Sequence, residues 1–485
     1  MQDKRDQVQA HMFIMGRLTS AMLRADPDAP ESPQGRTNRG IAISVIIAIL
    51  ICAIAFVIGL LKPGTKDSWR DPGTLIVNKD SGARYLYLGG RLRPVRNYTS
   101  ALLLAGDQMK VMTVGAKSLA DTPRGAPVGI PGAPDEPPGS DDLADGPWQV
   151  CSGASTGRTG TTLAVGVEAG GSGLGKEQGL LVRGPDDIDY LVWEGRKLRL
   201  DEKAKAAQAL GYGSELSLRV SAALINSLPT GPDLTPPEVP GLGEAGHQLA
   251  GEQTRIGEVF KVAASGAKAR FYQLRQEGLV QLTATGAALV LGDPETKEKA
   301  YEGRSVEARS LGTDLLSENL APDSTLPELA KELPEAPPEP VSVPDGQAPC
   351  VGVQASGDGT RVTVTLAHPT ALAPSAQPPS EGLTPACVTV NTIAVRPGGG
   401  ALVHAKAADG SDLGNTVYLV TDTGMKYRIL STDALKALGY SGAPAQGLPS
   451  SLLAMLPTGP DLTQDAAVSG ADESTAPECG GERDS

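Results

Sequence analysis
The longest unbroken apolar pattern in the chain covers residues 41–61, IAISVIIAILICAIAFVIGLL. No charge, proline, asparagine or glutamine interrupts these 21 residues. At about 1.5 Å per residue, a helix of that length crosses roughly 31 Å, the thickness of a bilayer core. A secretory signal is the competing reading. Its apolar part covers about 7–15 residues and ends at a small-residue cleavage site. Here the run starts 40 residues in and no A-x-A follows it. The pattern predicts an uncleaved single-span anchor. Before it, Val8, Met12, Met15, Leu18 and Met22 recur at intervals of 4, 3, 3 and 4, which predicts one apolar helix face over 6–24. That face suits a membrane surface or a docking partner equally.

After the anchor the pattern repeats. Residues 190–235 and 418–463 match at a constant shift of 228: YLV opens both, ALGY recurs at 209–212 and 437–440, and LPTGPDLT recurs whole at 228–235 and 456–463. Each copy predicts strand, tight turn, strand, short helix and second helix. Gly211 and Gly439 stand where a helix end takes a left-handed residue. Pro229 and Pro457 stop the second helix. A weaker pair, ARYLYLGGRLRPVRNYTSALLLAG at 83–106 and ARFYQLRQEGLVQLTATGAALVLG at 269–292, shares seven of 24 positions. Both predict a β-hairpin followed by an Ala/Leu helix. Four related modules are expected, the two kinds alternating along the chain; each buries little apolar area alone, so they should stack or pack with pseudo-symmetry.

Three Val/Thr-rich stretches, 148–167, 349–367 and 385–395, read as strands of one β-rich unit assembled from distant parts of the chain. Residues 121–146, 333–347 and 464–485 lack periodicity, are rich in Pro, Gly or acids, and are expected to be extended or disordered.

Composition agrees with small units. There are 59 Gly and 39 Pro, but aromatic residues make up only 4%, which argues against one large aromatic core. The net charge of −13, with no long Lys/Arg run against it, argues against a nucleic-acid partner. Cys52 lies inside the apolar run; Cys151, Cys350, Cys387 and Cys479 form an even set after it. An even set suits an oxidising exterior, although four cysteines allow three connectivities. The expected topology therefore has the N-terminus cytoplasmic and 62–485 outside. The Lys/Arg balance at the flanks, three before the run and four after it, decides nothing. A Cys151–Cys350 bridge would close a loop of about 200 residues, worth up to roughly 5 kcal/mol in the chain-entropy model, and would leave Cys387 and Cys479 as a second pair.

Candidate chemistry is sparse. GGSGLGKE at 170–177 approaches a phosphate loop, but Glu177 stands where the Mg²⁺-binding hydroxyl belongs, and strand-like sequence follows instead of a helix. GASTG at 153–157 fits a nucleophile elbow around Ser155, again with a strand rather than a helix after it. LPTG at 228–231 and 456–459 is a repeat element rather than a sorting signal. His11, His247, His368 and His404 are scattered and lack metal-ligand spacing. No catalytic residue, cofactor or metal site is expected.

These pieces, in this order, resemble the EccB family, the single-span membrane component of type VII (ESX) secretion systems. The resemblance rests on DQVQAHMFIMGRLTSAMLRAD at 6–26 ahead of the span, YLYLGGRLRPVRNYTSALLL after it, VGIPGAPD at 128–135, the two LPTGPDLT copies, and Cys151 with Cys350. It covers nearly the whole chain and implies an α+β protein. A cytoplasmic segment at 1–40 and a transmembrane helix at 41–61 would precede repeat modules at 72–120, 175–246, 247–310 and 400–463. A β-rich core would be drawn from 121–174 and 333–399, bridged by Cys151–Cys350, with an acidic tail at 464–485. Carrying Cys387 and Cys479 as well departs from that pattern. The implied role is a structural subunit that assembles with EccC-like (motor ATPase), EccD-like and EccE-like partners and with copies of itself. Some family members carry an ATPase label, so an ATP-hydrolysing subunit is the alternative. An anchored cell-wall-binding protein is a further one.

Overall fold
The computed structural model describes residues 4–24, 33–61, 68–155, 158–249, 251–263, 268–322, 332–357, 359–475 and 479. The chain divides into two compact units, Met1–Asp71 with Val114–Asp121, and Pro72–Thr113 with Thr122–Ser485.

The first unit holds two long helices, Lys4–Arg24 and Pro33–Leu61. In the former, Val8, Met12, Met15, Leu18 and Met22 are all exposed, the apolar face that the spacing predicts. The latter contains Thr37–Ile58, the one stretch among the described residues long and apolar enough to cross a membrane. The helix starts at Pro33, ahead of the apolar run, because proline is well suited to a first helical turn and the polar residues after it tolerate helix.

The second unit is built on a seven-stranded sheet. From edge to edge its strands are Ala376–Gln377, Thr392–Val395, Arg158–Val165, Trp148–Ser155, Ala348–Ser356, Gly359–Ala367 and Ser172–Gly173. Two hairpins, 148–165 and 348–367, pair through their first strands. Ser172–Gly173, the next strand after the first hairpin, pairs antiparallel with Gly359–Ala367 of the second, and Thr392–Val395, which comes after the short strand Ala376–Gln377, pairs in parallel with Arg158–Val165 of the first. Each hairpin is thus flanked by chain from beyond the other, with one strand added at one edge and two at the opposite edge. One apolar face, with Trp148, Val150, Leu163, Val351, Val353 and Ile393 all below 1% exposed, anchors the largest core. Of the 385–395 stretch, only Thr392–Val395 is strand.

Besides a two-stranded sheet of Ala245–Leu249 and Glu252–Arg255, four smaller sheets share one plan. In each, the strands taken in chain order are arranged third, second, first, fourth. The first holds Thr74–Asn78, Arg84–Leu88, Arg91–Pro94 and Lys110–Val114, and the second Gln178–Arg183, Asp189–Trp193, Arg196–Arg199 and Leu218–Arg219. The third holds Val259–Val262, Arg270–Arg275, Gly278–Leu282 and Arg309–Ser310, and the fourth Gly400–Lys406, Asp412–Thr421, Lys426–Ile429 and Gln446–Pro449. A helix follows the third strand each time: Tyr98–Ala105, Ala206–Ala209, Ala284–Gly292 and Thr432–Ala437. Gly211 and Gly439 do adopt positive φ, +86° and +82°, just past the helices of the second and fourth.

The helix of the second sheet packs on that of the third, and the helix of the fourth on that of the first. The former contact is close enough that a Cβ on Gly292 would overlap the Cβ of Ala209.

Of the three stretches without periodicity, expected to be extended or disordered, two are extended and held in place, and the third departs by starting as a helix. Residues 121–146 are extended but held: Val128 and Ile130 are fully buried, and Asn97 Nδ2 donates to Ile130 O at 2.7 Å. Residues 333–347 run alongside the second sheet, where Glu339–Pro340 pairs in parallel with Gln178–Arg183. The expected disordered tail begins as a helix, Gln464–Ser469. Thr463 caps it by accepting from Ala466 N, Gly470 ends it in the left-handed region, and Ala467 is fully buried. Segments without a period of their own gain order from the cores they cover, a contribution that local composition does not record.

Candidate functional site
The two strands at the centre of the large sheet carry the bridge. Cys151 lies directly opposite Cys350 in the register, with Cα atoms 4.0 Å apart, and the two are disulfide-bonded and buried. Val150 on one strand and Val351 and Val353 on the other favour the extended backbone that brings the cysteines together. Cys387 and Cys479 form a second disulfide, with Cα atoms 5.2 Å apart. The chain before Cys479 is also tied down: Thr475 donates from N and Oγ1 to Asp461 Oδ2 at 2.9 and 2.7 Å, and Arg428 reaches the same oxygen at 3.6 Å. Cys52 is free and lies on the apolar helix.

The remaining candidates stay apart. Ser155 ends one core strand and pairs with Arg158 at the start of the next, so strand leads to strand; Thr156 and Gly157 lie outside the described residues. Residues 170–177 connect the edge of the large sheet to the second small sheet. Ser172–Gly173 is strand, Trp193 Nε1 donates to Lys176 O at 2.7 Å, and the strand Gln178–Arg183 follows. Without a helix N-terminus after it, the loop has no array of free N–H groups for phosphate. Among the described residues no group of three or more His, Cys, Asp or Glu is placed to hold a metal.

The repeated LPTG segments have a structural use. Thr230 bridges in parallel to Lys197 on the third strand of the second sheet, and Thr458 to Lys426 on that of the fourth. Both lysines turn inward and cap a helix. Lys197 Nζ donates to Ile225 O at 2.9 Å, and Lys426 Nζ donates to Leu453 O and Leu456 O at 2.6 Å each. The carbonyls at the end of Ala222–Ser227 and of Ser450–Leu453, two helices that pack on each other, thereby gain a cationic donor. Burial lowers the pKa of both ammonium groups, that of Lys426 to about 8. Sequence reading missed this pair, although a lysine two residues after the turn glycine in both copies, Gly195 and Gly424, was a visible signal.

The repeated ALGY also reaches across the molecule. Tyr212 OH donates to Pro338 O, and Tyr440 OH to Pro138 O, both at 2.7 Å. Each hydroxyl pins one of the proline-rich stretches, and burial raises both phenol pKa values.

The arrangement is that of an anchored scaffold, and the family comparison agrees with it. The family model described as "Type VII secretion system ESX-1, transport TM domain B" matches residues 2–476. The chain belongs to the EccB family. Among relatives of this EccB-family chain, the "ESX-3 secretion system ATPase EccB3" of Mycolicibacterium smegmatis is 27% identical over 505 residues, covering 98% of this chain and 92% of the relative. The "ESX-1 secretion system ATPase EccB1" of Mycobacterium tuberculosis H37Rv is 27% identical over 490 residues, covering 95% and 93%. Two solved structures share the fold at 24% identity. One is a chain of an intact ESX-5 inner membrane complex, with a TM-score of 0.68 over 98% of this chain and 97% of that one. The other is the EccB3 dimer from the ESX-3 core complex, with a TM-score of 0.66 over 81% and 99%.

Proposed function
We propose that this EccB-family chain is a structural subunit of a type VII secretion membrane complex. It joins the complex through its membrane helix and the apolar face of Lys4–Arg24, and presents a rigid bridged scaffold on the other side. The observation that carries this reading is the joint architecture: one apolar helix followed by a disulfide-crosslinked unit whose buried polar groups serve structure. Partners are other membrane subunits of the complex, of the EccC, EccD and EccE kinds, and further copies of this chain. Complexes and dimers of relatives supply the support for that assignment.

The N-terminus is cytoplasmic and the large unit extracytoplasmic. All four disulfide-bonded cysteines follow the membrane helix, which supports that side as the oxidising one. The four small sheets are copies of one module, a reading supported by their common strand order and the repeated LPTGPDLT. Gentle-detergent purification of the tagged chain with mass spectrometry should recover an EccC-like motor and its companions; recovery of a lone subunit would reject the proposal.

The names carried by relatives support a second reading, ATP hydrolysis. The loop at 170–177 is its nearest structural candidate. Steady ATP turnover by the purified chain, abolished by Lys176→Ala, would favour it over the scaffold reading.

A further inference from the structure
The four small sheets differ in charge. In a chain of net charge −13, residues 72–120 carry seven Lys/Arg against two Asp, a net +5. The corresponding segments 175–246, 247–310 and 400–463 carry −3, +1 and −1. The basic module is also the one next to the membrane helix along the chain. Ten residues separate Leu61 from Pro72 along the chain.

The charge gathers on one edge of that module. Arg91 and Arg93 lie on the third strand, and the stretch carrying Arg124 runs beside it, Leu92 pairing with Arg124. Arg91 Nη1 donates to Arg124 O at 3.3 Å and Arg93 Nε to Ala126 O at 2.9 Å. A Cβ on Gly125 would lie 2.9 Å from Arg93 Cγ and 3.5 Å from Arg91 Cβ, so both stems pass over this glycine. The Arg124 guanidinium stands 5.9 Å from the Tyr85 ring centre. Arg96 follows at the end of the strand. Arg91, Arg96 and Arg124 are exposed. Among the described residues no carboxylate pairs with any of these four arginines. Each guanidinium has five N–H donors, and the contacts above use few of them.

We propose that this edge of the first module is a docking surface for anionic phospholipid headgroups of the membrane that the chain itself spans. Arginine forks suit phosphate oxygens, and clustered basic groups near a membrane are attracted to its negative surface. The contact would hold the scaffold at a set height and tilt over the bilayer. It does not depend on which face of the membrane the unit occupies, nor on the secretion role.

The test is hydrogen exchange on the full-length chain in nanodiscs of neutral phosphatidylcholine, compared with nanodiscs containing about one-third phosphatidylglycerol. Amides over 84–96 and 123–128 are expected to exchange about fivefold more slowly in the anionic nanodiscs. That protection should vanish in about 0.5 M salt and in the R91Q/R96Q/R124Q variant, while exchange over 400–421 stays unchanged. Equal exchange in the two lipids, or protection that survives salt, would overturn the proposal. The wild-type salt comparison decides the matter even where the variant folds poorly.

Discussion

Cys151 and Cys350 face each other across the two central strands of the large sheet, 199 residues apart in sequence and 4.0 Å apart at Cα. The bridge joins the two hairpins through their central strands, so both halves of the sheet depend on it. Exchanging both cysteines for serine should lower the unfolding free energy by about 2–5 kcal/mol. Urea melts of the oxidised chain and the variant measure the difference. Equal midpoints would mean that the strand register alone holds the halves.

The two tyrosine clamps should act separately. Tyr440→Phe removes the donor to Pro138 O, and Tyr212→Phe the donor to Pro338 O. Each should cost about 1–3 kcal/mol, because a buried carbonyl is left unpaired. Proteolysis should then increase locally, over 121–146 for the first and 333–347 for the second. Both phenols have raised folded-state pKa values, so their stabilisation is complete below about pH 10 and fades as pH rises past it.

Lys426 predicts a pH effect of the opposite sign. Burial lowers its folded pKa to about 8 from the ordinary lysine value of 10.5, so between those values the unfolded chain binds more protons. The stability of the wild type relative to Lys426→Met should therefore rise between about pH 8 and 9.5, by about 1–2 kcal/mol. Paired denaturation curves at the two pH values isolate the lysine from the tyrosines. A constant difference would show that Lys426 stays charged throughout.

Gly292 tests the contact between the second and third small sheets. A side chain there meets Ala209 on the facing helix. Gly292→Val should cost about 1–3 kcal/mol through overpacking. Pairing it with Ala209→Gly should recover part of the loss, which a double-mutant cycle would reveal.

Much of the fold was legible along the chain because local period and repetition report it directly. The hairpins at 84–94 and 270–282 and the helices after them follow from alternation and small apolar runs. The membrane helix follows from 21 uncharged residues. The disulfide partners were candidates because four cysteines leave few choices, and strands that carry two of them pair well. The inward turn of Lys197 and Lys426 was not legible, since a lysine in an alternating strand usually reads as an exposed position. Only the helix ends packed over these two strands give their ammonium groups carbonyl partners. The helix Gln464–Ser469 was hidden for a related reason. Its composition is that of a solvated tail, and its order comes from Ala467 packing and the hold of Asp461 on Thr475.

The sequence by itself determined the parts: the anchor, the apolar face before it, the repeated strand and helix units, and the cysteines available for bridging. These depend on period and composition, which are local properties of the chain. Tertiary structure alone decided that each core hairpin is flanked by a strand from beyond the other, that Tyr212 and Tyr440 clasp proline-rich stretches, and that basic residues gather on one edge of the first small sheet. Those relationships join residues as far as 302 positions apart. They arise where separate apolar faces are buried together, and burial then selects which polar groups must meet.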